Sequence, residues 1–128
     1  MKNKLCVFVL FLTMSSMSFA QSIRLRANFY ETNIDGEKTQ EESDRLLVLD
    51  LDKKVITIFG NPSERFDIYE SFEIDERTTM FPSIDKDLVE FAIEYYVGDD
   101  YYYITIQSIV ENESGTFNNR MYVCTLIE

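Results

Sequence analysis

Apolar and polar residues alternate with a period of two along most of the chain, and no window of eleven or more residues keeps a clean 3.6-residue spacing. That pattern predicts strands, not helices. "IRLRANFY" sets Ile23, Leu25, Ala27 and Phe29 against Arg24, Arg26, Asn28 and Tyr30. "RLLVLDLDKKVITIFG" reads as two strands around Asp52-Lys53-Lys54, with Gly60-Asn61-Pro62 closing the second. "ERFDIYESFEIDE" alternates Phe66, Ile68, Phe72 and Ile74 against Arg65, Asp67, Tyr69, Glu73 and Asp75, interrupted by Glu70 and Ser71. It predicts one long bent strand or two short ones. In "RTTMFPSIDKD", Pro82 argues against a central strand. "LVEFAIEYYV", "YYYITIQSIV" and "FNNRMYVCTLIE" follow, separated by "GDD" and "ENESGT". Short strands with turn signals between them predict a single antiparallel all-β domain of about eight strands, a barrel or a sandwich, over residues 21–128.

The stretch "VEFAIEYYVGDDYYYITIQSIV" gathers five tyrosines around Gly-Asp-Asp. A two-residue type II′ turn at Gly98-Asp99 wants glycine first and would oppose Tyr95 to Tyr102 and Ile93 to Ile104. A four-residue loop, Gly98 to Tyr101, keeps the same division of faces, whereas a three-residue loop would oppose Ile93 to Thr105. An even loop is therefore expected, since a one-residue slip sends every side chain to the wrong face. Tyr95 and Tyr102 then join the core, while Tyr96, Tyr101 and Tyr103 face outward. Those three are the candidate ligand-binding residues, because the core does not need them.

Three features of composition place the chain. The opening "MKNKLCVFVLFLTMSSMSFAQS" has the basic, apolar, small-residue order of a secretory signal with cleavage after Ala20, and its apolar run is short of the roughly 20 residues that span a bilayer. Residues 1–20 are read as a signal peptide and the product as exported, periplasmic or secreted, without stable membrane insertion after cleavage. Cleavage removes Lys2 and Lys4 and no acid, taking the net charge from −11 to −13. That sign repels nucleic-acid phosphates and anionic lipid. Only Cys124 survives, so no intrachain disulfide forms, and in "RMYVCTLIE" it shares a strand face with Arg120, Tyr122 and Leu126. A buried, inert thiol is expected there.

The chemistry is bounded mainly by what is missing. There is no histidine, no mature cysteine pair and no Gly-rich phosphate loop, which removes the commonest general base, most zinc sites and nucleotide cradles. No cofactor is expected. "ETNIDGEKTQEE" places Glu31, Asn33, Asp35, Gly36 and Glu42 at positions 1, 3, 5, 6 and 12 of a calcium loop. Lys38 at position 8 and strand-like flanks oppose that reading, so no metal is expected, and the run is read as a polar hairpin loop. Asn112-Glu113-Ser114 matches a glycosylation sequon.

With the signal ending "SMSFAQS", a small acidic mature chain and strands such as "LLVLDLDKKVITIFG", the protein resembles in style the small exported all-β bacterial proteins of uncharacterised function. Several of those are similar to lipocalins in closing a meander. The resemblance implies an exported β fold and transfers no functional residue. The reading is a non-catalytic binding or interaction module of the cell envelope, taking a protein, a glycan or a small apolar ligand. The alternatives are a carboxylate-only, glycosidase-like hydrolase and a calcium-stabilised structural domain.

Overall fold

The computed structural model describes residues 22–127, so the signal-peptide reading of residues 1–20 lies outside the described residues. Ten strands form one antiparallel sheet: β1 (Ser22–Ile34), β2 (Glu37–Glu42), β3 (Leu46–Asp50), β4 (Val55–Ile58), β5 (Glu64–Ile68), β6 (Phe72–Glu73), β7 (Thr78–Ile84), β8 (Glu90–Val97), β9 (Tyr102–Glu111) and β10 (Phe117–Leu126). β10 pairs back onto β1, closing β1, β3, β4, β5, β7, β8, β9 and β10 into an eight-stranded barrel with β2 and β6 attached outside the ring. Closure decides between the barrel and the sandwich. It also removes the sheet edges that a sandwich would leave.

Alternation builds the interior. Leu25, Ala27, Leu47, Leu49, Ile56, Ile58, Phe66, Ile93, Ile104, Ile106, Tyr122 and Cys124 are buried as one cluster drawn from seven of the eight barrel strands, and Phe81 and Ser83 of β7 complete the ring. An eight-stranded barrel has a lumen about wide enough for its own side chains, and here they occupy it. Each leucine or isoleucine so buried contributes about 1.5–3 kcal/mol. The meander gives the barrel two rims. The turns at 35–36, 59–63, 85–89 and 112–116 form an upper rim, and those at 51–54, 69–77 and 98–101 a lower one.

Four expectations are corrected. A β-bulge between Ala27 and Phe29 shifts the register of β1 against β10 by one residue. Phe29 is turned outward to 40% exposure, and Tyr30 goes in to stack on Tyr122 at 4.8 Å. Beyond residue 68 the alternation of "ERFDIYESFEIDE" stops meaning burial: Phe72 and Ile74 are exposed, the former on the two-residue β6. Pro82 lies inside β7, between β8 and β5 with β6. Its carbonyl accepts the Tyr69 N–H at 3.1 Å, so the position without an N–H faces the irregular 69–71 connection, where no ladder bond is lost. Finally, residues 31–42 are paired strand rather than loop, folded at Asp35-Gly36. Both turn residues have positive φ, as the type I′ turn requires of Asp-Gly.

Candidate functional site

The hairpin of β8 and β9 takes the four-residue loop, with Val97 opposite Tyr102, Tyr96 opposite Tyr103 and Tyr95 opposite Ile104. The faces divide as the even-loop argument requires. Tyr95 and Tyr102 stack at 6.3 Å against the core, and burial, then the neighbouring Tyr102 and Cys124, push the Tyr95 phenol up to about 12. Of the three outward candidates, Tyr96 and Tyr103 are half-buried against each other at 5.8 Å, and only Tyr101, in the turn, is exposed. The reason for Gly98 differs from the sequence argument. It has no positive φ; a Cβ there would lie 2.7 Å from the Tyr101 carbonyl oxygen and 3.0 Å from the Tyr103 ring. Close approach of the chain, with the Gly98 N–H donating to the Tyr101 carbonyl at 2.9 Å, is what demands glycine. Arg77 pins the same turn, donating to the Val97 carbonyl and to Asp99, both at 2.9 Å.

The upper rim carries what the alternation did not single out. Arg120 and Glu64 point into the lumen from strands that are not neighbours in the sheet, and their fork-on-fork hydrogen bonds measure 2.7 and 2.9 Å. Arg120 also lies 6.0 Å from the Phe66 ring centroid, and Phe66 meets Phe91 edge-on at 5.4 Å. Burial works to lower the Arg120 pKa, but the Glu64 hydrogen bond, Tyr122, the Glu64 charge and Tyr30 outweigh it, so the guanidinium stays charged. A charged residue in register with Tyr122 and Cys124 on a core face was the available signal; its partner 56 positions away was not legible from alternation.

Beside this pair a cleft of about 470 Å³ opens between the 59–63 and 85–89 turns, lined by Pro62, Glu64, Phe66, Asp85, Lys86 and Phe91 among others. Two of its three carboxylates, Glu64 and Asp85 but not Asp87, are committed. Glu64 holds Arg120, and Asp85 Oδ1 accepts the N–H groups of Asp87 and Val89, each at 2.9 Å. Those bonds shape a turn that holds Leu88 at φ +66°, the left-handed region a bulky residue avoids, and leaves its side chain 75% exposed. Val89 and Ile34 continue the apolar lip over a second cleft of about 230 Å³ that shares Phe91 and Arg120.

The calcium candidates are not brought together. Glu31 sits opposite Gln40, Asn33 opposite Lys38 and Glu42 opposite Phe29, which puts Glu42 about 20 Å along the hairpin from Asp35. Among the described residues no group of three His, Cys, Asp or Glu is placed to hold a metal ion. The sequon asparagine is also occupied: Asn112 Nδ2 donates to Thr116 Oγ1 at 3.0 Å and Asn118 Oδ1 at 2.7 Å, and its Oδ1 caps the turn by accepting the Ser114 and Thr116 N–H groups. Asn118 Oδ1 in turn accepts the Asp35 N–H at 3.0 Å, tying the β9–β10 turn to the tip of the β1–β2 hairpin. Cys124 is fully buried, and burial pushes its thiol up to about 12. Compared with known proteins, the chain matches no family model, no curated protein and no solved structure.

Proposed function

We propose that the chain is an exported, non-catalytic binding module of the cell envelope that meets a protein partner with its upper rim. The observation that carries this reading is Leu88, a large apolar side chain presented to solvent by a backbone conformation that costs about 1–3 kcal/mol. Strain that a turn maintains with two side-chain hydrogen bonds, in order to display leucine, is hard to explain by packing. The filled lumen supports contact from outside over enclosure of a small apolar ligand. The commitment of Glu64 and Asp85 leaves Asp87 as the one remaining carboxylate of the cleft, which supports binding over a carboxylate hydrolysis that needs two facing each other.

The test is Leu88→Asn, which suits the left-handed region and removes the apolar surface. Capture of partner proteins from envelope extract should fall at least tenfold while the urea midpoint rises. Unchanged capture would overturn the reading. Tyr101, the one exposed member of the tyrosine group, supports a second contact at the lower rim. If that contact is the operative one, Tyr101→Ala and Tyr103→Ala, not Leu88→Asn, reduce capture.

A further inference from the structure

β2 stands outside the ring. Among the described residues it pairs with the upper half of β1 alone, while β3 takes the lower half of the same side. In a two-residue hairpin the pair that closes the turn, here Ile34 and Glu37, exchanges both hydrogen bonds. Glu37, Thr39 and Glu41 therefore turn their backbone groups to β1, and Lys38, Gln40 and Glu42 turn theirs to an open edge. The Thr32 and Thr39 hydroxyls bond across the hairpin, and its tip is held by Asn118, so the edge is set in place before anything pairs with it.

We propose that the β2 edge is a strand-addition site for an extended, Lys- or Arg-bearing segment of a partner protein. Strand addition takes its affinity from main-chain hydrogen bonds and its selectivity from alternate side chains. The side chains of β2 are all exposed and read Glu-Lys-Thr-Gln-Glu-Glu, on a chain of net charge −11. A cationic strand would meet Glu37, Glu41 and Glu42. A second copy, paired antiparallel about Gln40, would set Lys38 opposite Glu42 but join two strands that each carry more acids than bases, so a cationic segment complements the edge better. The open edge at Lys38, Gln40 and Glu42 does not include Leu88 or Val89, although Ile34 of the lip pairs with Glu37, so either reading can fail without the other.

The decisive variant is Gln40→Pro. It deletes an N–H that points away from β1, which an edge strand tolerates, and leaves the charge unchanged. A ten-residue peptide alternating Lys and Thr, with a twin alternating Glu and Thr, serves as the probe in calorimetric titration of the protein. The Lys peptide should bind, the Glu peptide should not, and Gln40→Pro should weaken the Lys peptide at least tenfold with its melting temperature unchanged, while Leu88→Asn leaves that binding intact. In the unsubstituted protein, the Lys peptide should slow amide exchange at Lys38, Gln40 and Glu42 and leave Thr39 and Glu41 unaltered, a readout that survives if Gln40→Pro fails to fold. Equal binding by Gln40→Pro would mean diffuse charge attraction and overturn the proposal. So would no binding by either peptide, equal binding by both, or a concentration-dependent dimer abolished by Gln40→Pro.

Discussion

Single residues here are read by what their backbone permits. Leu88 is held at φ +66° with its side chain in solvent, so replacing it with asparagine relieves strain and gives up little packing. The stability of Leu88→Asn should rise by about 1 kcal/mol, seen as a higher urea midpoint at unchanged slope. A fall would show that Leu88 packs in the folded state. Cys124 and Tyr95 report on the interior by ionisation. Burial raises the thiol from 9.0 and the phenol from 10.0, each to about 12. Both groups bind their proton more tightly when folded. Their stabilisation is therefore complete below pH 9 and lost as pH climbs from there to about 12. Urea midpoints should be level between pH 7 and 8.5 and decline steadily above 10. Native residues 21–128 should also resist a thiol reagent at pH 8; rapid labelling of Cys124 would contradict its burial.

At the level of elements, alternation was readable wherever a strand is straight and flanked on both sides. β3 and β4 bury the residues that period two assigns to the interior, and β8 and β9 bury Ile93, Ile104 and Ile106 with Phe91, Tyr95 and Tyr102 partly covered, until the register shift against β10 leaves Val110 exposed. The misreadings share one physical origin, that a strand's face is set by its neighbours as well as by its own sequence. Asn28 looks like any polar position in "RLRANFY", yet it is the residue where β1 leaves β3 for β2, and the added bulge residue swaps the faces of Phe29 and Tyr30. Pro82 is tolerated because β5 has ended at that height, which the sequence around Pro82 does not record. The tyrosine hairpin was legible in register because only an even loop kept the faces coherent, but the role of Gly98 depended on where the Tyr101 carbonyl falls. Gly98→Ala should cost about 2–3 kcal/mol, since the new methyl group meets backbone at 2.7 Å that cannot move without disturbing the Tyr96–Tyr103 pair. Thermal melts of Gly98→Ala beside Gly115→Ala would separate this from a φ effect. Gly115 has positive φ and open space around it, so its variant carries conformational strain without a clash.

Across the whole molecule, the open question is what closes the upper end of a core that is otherwise apolar. β5 and β10 are separated in the sheet by β7, β8 and β9, so the Glu64–Arg120 pair spans the lumen and caps the hydrophobic layer formed by Phe66, Ile106 and Tyr122. The two side chains keep only 35% and 20% of their exposure. Partial desolvation makes each a poor solitary occupant of the site, and the pair is tolerable because the carboxylate and the guanidinium satisfy each other twice. This predicts an asymmetry. Arg120→Met leaves Glu64 facing the core without its cation and should cost about 2–4 kcal/mol. Glu64→Leu leaves Arg120 over the Phe66 ring without its anion and should cost a similar amount. The double variant removes both charges and keeps apolar volume at the rim, so it should be less damaging than either single change, with a coupling energy of about 1–3 kcal/mol in a double-mutant cycle. Urea melts of the four proteins measure that term. Additive costs would mean that the two side chains act independently, and the cap would then have to be the Tyr30–Tyr122 stack beneath them.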